Sequence, residues 1–262
     1  MSPPAAPYYG YYEVDLFDCP PFEMFSNGDD PRAIDIRDYK LFEPHSMKLW
    51  CHLARTATGI VDIGAHVGVY SLAAAALRPD IPIYAFEPNF HACARLRVNK
   101  MKNRFTNIRD ANIAIGQKSK VTEFFWPVKD NAAIASGGSI TPREGDNVER
   151  ALVLMMPLDE IPGARDVGER GLVKIDVEGA EHFVFGGMQK TIANHRPDII
   201  VETFNKIGAE VINQITQPLG YHAFGIDESG CLLPQDQILK ADPKNTARYN
   251  QFLTVHSPPT FL

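Results

Sequence analysis

An α/β architecture, with a parallel sheet covered by helices on both faces, follows from three features of this 262-residue chain. Short apolar runs rich in Val and Ile alternate with helical stretches. The segment GIVDIGAHVGVYSL at 59–72 passes from a strand into a helix through two glycines spaced four apart. Two later runs, IYAFEPN and VKIDVEGAE, end in acids where a strand should give way to a helix.

Taken in chain order, the β-branched runs predict seven strands: Ile60–Ile63, Ile83–Phe86, Ile108–Ile115, Leu172–Ile175, Asp198–Glu202, Tyr221–Gly225 and Gln251–His256. Helices are expected over Val69–Leu77, Asn89–Asn103, Glu178–His195 and Ile207–Gln217, the third bent at Gly186–Gly187 because glycine weakens a helix interior. Ahead of the first strand lies a segment carrying Tyr8, Tyr9, Tyr11, Tyr12, Phe17, Phe22 and Phe25, then a helix over Ser46–Ala57. Residues 1–58 therefore read as a cap segment with its helix, and residues 59–262 as the main domain. The stretch NAAIASGGSITPREGDNVER at 131–150 is Gly-rich, polar and too long for a simple connection, so it reads as either a mobile loop or a functional one. No internal repeat is present.

Composition narrows the function classes. A hydrophobic content of 45% supports a full core. No stretch approaches the roughly 18 unbroken apolar residues of a membrane helix, and the start lacks the basic-then-apolar order of a signal peptide, so a cytoplasmic protein is expected. Cys19, Cys51, Cys93 and Cys231 are scattered without metal-like spacing, consistent with unpaired thiols in a reduced compartment. A formal net charge of -6 opposes broad phosphate-backbone binding. The one basic run, RLRVNKMKNR at 95–104, spreads its charges around a helix as a solvated face. No nucleic-acid partner and no membrane span are expected.

The 64–68 turn sits at a strand's carboxyl end, where open α/β sheets bind ligands. Gly64 permits the tight turn, and Gly68 permits close packing of the helix. A dinucleotide fingerprint needs a further glycine where His66 stands, so the approach of a pyrophosphate is obstructed. A nucleoside cofactor without pyrophosphate, S-adenosyl-L-methionine, fits better. Glu87 lies 23 residues beyond Gly64, the spacing expected of an acid that accepts from ribose hydroxyls. The third strand brings Asn112 and Ile113 toward the adenine. The expected cofactor set on these turns is Asp62, Gly64, Ala65, His66 and Gly68, then Glu87 and Pro88, then Asn112 and Ile113, with Asp176.

The fourth strand runs into Lys174, Asp176, Glu178 and Glu181. The two-residue period of a strand places Lys174 and Asp176 on one face, and the glutamates fall in the first turn of the next helix, where its dipole favours anions. Carboxylates at such a tip steady a sulfonium, orient a hydroxyl or remove its proton. Asp176 and Glu178 are the expected catalytic bases, with His182 in reserve. No metal is assigned; a divalent cation held by Asp176 and Glu202 is the alternative.

These residues resemble the FkbM-type S-adenosylmethionine-dependent methyltransferases over roughly residues 40–256. The likeness rests on FEP at 42–44 before a helix with LW, VDIGAHVGVYSL, YAFEPN, KIDVEGAE at 174–181, PDIIVET at 197–203 and NQFLTV at 250–255. It implies a seven-stranded Rossmann-like class I methyltransferase sheet of order 3-2-1-4-5-7-6, and methyl transfer to hydroxyls of sugars, glycolipids or natural products. His66 stands where the family often has asparagine in a GANVG turn. A small-molecule or glycan acceptor is expected, with the aromatic N-terminal segment and the 131–150 loop closing over it, or with those aromatics packing a homodimer interface or the back of the sheet instead. A nicotinamide-dependent oxidoreductase and a noncatalytic nucleoside-binding or partner module are the alternatives from other classes.

Overall fold

Strands buried on both faces read as largely apolar runs, and the central ones here do so except at Asp62, Lys174 and the two ends of the third, Asp198 and Glu202. A computed structural model of the chain describes residues 8–15, 17–128, 134, 137–142, 148–227, 230–242 and 249–259. The chain opens with an antiparallel hairpin of β1 (Gly10–Val14) and β2 (Phe22–Ser26), then α1 (Pro31–Arg37) and α2 (Pro44–Ala54). The βα units follow as β3 (Gly59–Ile63), α3 (Val69–Leu77), β4 (Ile83–Phe86), α4 (Phe90–Lys102) and β5 (Ile108–Ala111). Next come β6 (Ala114–Ile115), β7 (Lys120–Pro127), β8 (Val148–Met156), β9 (Gly171–Ile175), α5 (Glu181–Gly187) and α6 (Gln189–His195). The chain then runs through β10 (Asp198–Glu202), α7 (Lys206–Thr216), β11 (His222–Asp227), β12 (Cys231–Gln235) and β13 (Asn250–Thr254).

The main sheet holds eight strands in the order β12-β11-β13-β10-β9-β3-β4-β5, which corrects the expected count of seven. Strands β10, β9, β3, β4 and β5 run parallel, while β13 lies antiparallel to both β10 and β11. The unexpected strand is β12, whose Pro234 suits an edge because proline cannot donate to a ladder. The single strand expected at Ile108–Ile115 is divided. β5 stays in the main sheet, and β6 joins β7 and β8 in a second, three-stranded sheet. There, alternating Phe124 and Trp126 of β7 share one buried face of the sheet with alternating Val153 and Met155 of β8.

Period-2 alternation divides the core into two layers. Ile60, Leu172, Ile200 and Phe252 face α2 and α3, whereas Val61, Ile63, Val173, Ile175 and Val201 face the other layer with α5 to α7. The helix expected at Glu178–His195 is two helices broken at Met188, and Glu178 precedes them rather than lying in a first turn. The helix expected at Ser46–Ala57 begins earlier, at Pro44, which is pre-organised for a first turn.

The aromatic hairpin belongs to the first core layer, through Tyr12, Val14, Phe22 and Met24. Its backbone is tied to α4: Phe25 N–H donates to Asn99 Oδ1 at 2.8 Å, Glu23 N–H donates to Asn103 Oδ1 at 2.8 Å, and Asn103 Nδ2 returns a bond to Glu23 O at 2.7 Å. All four cysteines are free, and the fold brings Cys19 against Cys51. Among the described residues, no helix is long and apolar enough to cross a membrane.

Candidate active site

The carboxyl ends of β3, β4, β9 and β10 open on two cavities that share Gly64, His66, Asp176 and Glu178. The shared wall depends on glycine. Gly64 has φ 82°, and a Cβ there would lie 1.7 Å from the Asp176 carbonyl oxygen. Asp176 N–H donates to Ile63 O at 2.9 Å, so the two strand tips are held edge to edge. Three non-glycine residues around the cavities also occupy the left-handed region: Glu43 at φ 40°, His66 at 50° and Glu178 at 54°. Backbone strain of this kind collects at functional sites.

The first cavity encloses about 680 Å³ including its open mouth, between Glu87, Pro88, Ile113, Phe124 and the 137–140 segment. Glu87 forms its polar edge. One carboxylate oxygen accepts the His66 N–H at 2.8 Å and the other accepts the Asn89 N–H at 2.7 Å. Each oxygen keeps acceptor capacity beyond the bond it makes. Burial raises the Glu87 pKa against the lowering effect of those donors. Asn89 also caps α4, accepting from His91 N at 3.0 Å, so the acid is anchored to a helix start.

Asn112 is exposed and does not line the cavity. Its amide donates to the carbonyls of Glu87 and Pro88 at 2.8 and 2.9 Å, steadying the turn from outside. Gly68 likewise lies outside both linings and starts α3, where a Cβ would press on Leu96. Of the expected 131–150 loop, residues 137–140 wall the first cavity, clipped to β7 by paired bonds between Ser139 and Phe125. This part of the loop does not line the second cavity. Residues 131–133, 135–136 and 143–147 lie outside the described residues.

The second cavity, of about 640 Å³ including its mouth, is charged. Strand register explains why. Asp62 stands opposite Lys174 across β3 and β9, Lys174 opposite Ile200 across β9 and β10, and Glu202 opposite Asn250 across β10 and β13. With Asp176 two residues beyond Lys174, all four ionisable groups fall on one face. Lys174 is fully buried, 3.9 Å from Asp176 Oδ2, and donates to Asn250 Oδ1 at 3.3 Å. Burial works against its charge, but Asp176, Glu43, Glu202 and Asp62 together hold the ammonium above its ordinary pKa. Burial pushes Asp62 up to about 6, although the Ser71 hydroxyl donates to it at 2.6 Å.

Glu43 and Tyr70, absent from the expected set, complete this wall. The Tyr70 hydroxyl donates to Glu43 Oε2 at 2.6 Å, and Asn250 Nδ2 donates to the same oxygen at 2.9 Å. Phe42 and Tyr249 add aromatic faces. In the sequence this corner was marked only by FEP at 42–44, one of the stretches that carry the family resemblance; Tyr249 carried no local signal. Among the described residues, no cluster of three or more His, Cys, Asp or Glu is disposed to hold a metal ion.

His182 and Glu181 stand apart. His182 lines neither cavity, packs against Phe183 with ring centroids 4.0 Å apart, and is shifted down by burial. Glu181 is buried at the start of α5 and accepts the Gly179 N–H at 2.7 Å. Asn205 binds the Gly179 carbonyl at 2.8 Å while its Oδ1 caps α7, so this loop is braced from two helices. Two unpartnered buried atoms remain in the cavity walls among the described residues, His66 Nε2 and Glu202 Oε1.

A family model described as "Methyltransferase FkbM domain" matches residues 62–223. The 31-O-demethyl-FK506 methyltransferase FkbM of Streptomyces tacrolimicus is 24% identical over 197 residues, covering 64% of this chain and 72% of that protein. Among solved structures, a methyltransferase FkbM from Methylobacillus flagellatus superposes with a TM-score of 0.47 at 14% identity, covering 75% of this chain and 43% of that one. A SAM-dependent methyltransferase from Agrobacterium tumefaciens gives a TM-score of 0.48 at 11% identity, covering 97% and 72%.

Proposed function

Because the chain belongs to the methyltransferase FkbM domain family, we propose that it transfers a methyl group from S-adenosyl-L-methionine to a hydroxyl oxygen of a small-molecule or glycan acceptor. The observation that carries this reading is the pair of cavities that share a wall at the sheet's carboxyl edge, one with a pinned acid and apolar walls, the other charged and aromatic. The name of the Streptomyces relative places that protein's own reaction on an oxygen, which supports a hydroxyl acceptor here.

The residues present fit the cofactor. Glu87 keeps free lone pairs for a ribose diol, Ile113 and Phe124 offer apolar faces to a base, and Asp62 and the orphan His66 Nε2 supply polar partners for an amino-acid end. When bound, the cofactor supplies a methyl group already activated by its sulfonium. The chain has only to align, shield and deprotonate. Gly64, Ala65 and His66 with Pro88 set the position, the 137–140 segment covers the nucleoside side, and Asp176 and Glu178 supply carboxylates along the wall that the two cavities share.

Calorimetry with S-adenosylhomocysteine, with NAD as the comparison, tests the reading. Binding of S-adenosylhomocysteine alone is expected. Glu87→Ala should weaken it by roughly 10- to 150-fold, the loss of a charge-assisted bond of about 1.5–3 kcal/mol, with the fold intact. Equal affinity of the variant removes Glu87 from the site, and preferential NAD binding sinks the methyltransferase reading.

A further inference from the structure

The second cavity holds a carboxylate that the expected machinery does not use. Glu202 ends β10, is 3% exposed and lines the cavity, and one of its buried oxygens, Oε1, has no hydrogen-bond partner among the described residues. An unsatisfied buried acceptor is costly unless a ligand completes it. We propose that the acceptor hydroxyl enters this cavity against Glu202 and gives its proton to Glu202 Oε1. The inference rests on the methyl-transfer reading and assigns the base within it.

Geometry separates Glu202 from the other acids. Asp176 is nearly one-third exposed at its side chain and is engaged by the Lys174 ammonium at 3.9 Å. Glu43 already accepts from Tyr70 and Asn250, and Asp62 from Ser71. Glu202 faces Lys174 from β9, Asp176 from the residue after it, Glu178 from the following turn and Glu43 from the residue before α2; the Tyr249 hydroxyl, from the residue before β13, hydrogen-bonds the carboxyl, which leaves Oε1 as the oxygen without a partner among the described residues. Burial and the neighbouring Asp176 raise its proton affinity well above that of an ordinary Glu, and Lys174 only partly offsets them. A base needs this: an affinity high enough to take a proton from a hydroxyl whose acidity rises as the new bond forms.

The step balances. The acceptor oxygen forms the O–CH₃ bond as the S–CH₃ bond breaks, and that bond's electron pair returns to sulfur, which loses its positive charge. The hydroxyl's own O–H pair stays on oxygen, and the proton moves to Glu202, which becomes neutral.

Glycerol is the probe, because a three-carbon polyol is small, offers hydroxyls and carries no charge. Wild type, Glu202→Gln and Glu202→Asp are compared for S-adenosylhomocysteine affinity, for methyl transfer to concentrated glycerol from labelled donor, and for the protonated-carboxyl band in the infrared. The expected results for Glu202→Gln are affinity within a few-fold of wild type, glycerol turnover lower by about 100-fold or more, and loss of the acid limb of the pH–rate profile. Glu202→Asp should restore part of the rate and the limb. A carboxyl band that titrates above the ordinary Glu range should be missing from Glu202→Gln. A wild-type protein that binds S-adenosylhomocysteine yet never methylates glycerol, a Glu202→Gln variant that keeps its rate or its acid limb, or an unchanged infrared titration overturns the proposal. Absence of S-adenosylhomocysteine binding in the wild type overturns the methyltransferase reading instead.

Discussion

The tightest constraint at the residue scale is Gly64, where two independent demands coincide. Its φ of 82° disfavours any L side chain, and a Cβ would overlap the Asp176 carbonyl at 1.7 Å. Gly64→Ala must therefore part β3 from the β9 tip, and Asp176 moves with that tip. A loss of roughly 2–6 kcal/mol is expected from backbone strain and overpacking together, read by chemical denaturation. Wild-type stability in this variant shows that the two tips are not held at this separation. Sequence spacing marked Gly64, His66 and Glu87 because they lie within one βα unit and its neighbour. No spacing marked Glu43, which the sequence flagged only within FEP of the resemblance, or Tyr249, since they reach the cavity from 19 residues before Asp62 and 47 residues after Glu202.

At the scale of elements, the loop between β9 and α5 shows how a buried acid is used for support rather than chemistry. Glu181 bonds the Gly179 N–H through one oxygen and leaves Oε2 unpartnered among the described residues. Burial, outweighing that bond, raises its pKa to about 7. The folded state therefore binds this proton more tightly than the unfolded chain does. Its contribution to stability is complete below the unfolded value near 4.5 and is lost as pH rises through about 7. Glu181→Gln keeps the acceptor for Gly179 and removes the titration. Its stability should fall less than that of wild type between pH 4.5 and 8, by about 3 kcal/mol, measured as urea midpoints across that window. An identical pH slope in both proteins refutes the assignment. His182, one residue on, shows the limit of motif reading: the KIDVEGAE block made it a reserve base, but α5 turns it against Phe183 and outside both cavities.

Across the whole molecule, the N-terminal hairpin decides whether the aromatic segment is a lid or part of the core. Val14, Phe22 and Met24 are buried in the layer that also holds Trp50 and Leu72, and no residue of β1 or β2 lines either cavity. Burying three such side chains contributes roughly 5–9 kcal/mol, comparable with the roughly 5–15 kcal/mol net stability of a domain. Deleting residues 1–28 should therefore lower the thermal midpoint sharply or prevent folding, seen by calorimetry and near-UV circular dichroism. A truncated protein with an unchanged midpoint and a raised acceptor KM restores the lid.

The sequence by itself determined the βα alternation, the glycine turn and the acids at the strand tips, because each is written within a few residues by a period or by a backbone conformation that one residue type favours. Only the tertiary structure decided the eighth strand, the second sheet and the division of the site into two cavities. It alone set Lys174 among Glu43, Asp62, Asp176 and Glu202, and left one oxygen of Glu202 without a partner among the described residues. The reason is physical: these properties depend on register between strands distant in sequence and on how much water the packed chain excludes, and neither is encoded in any local pattern.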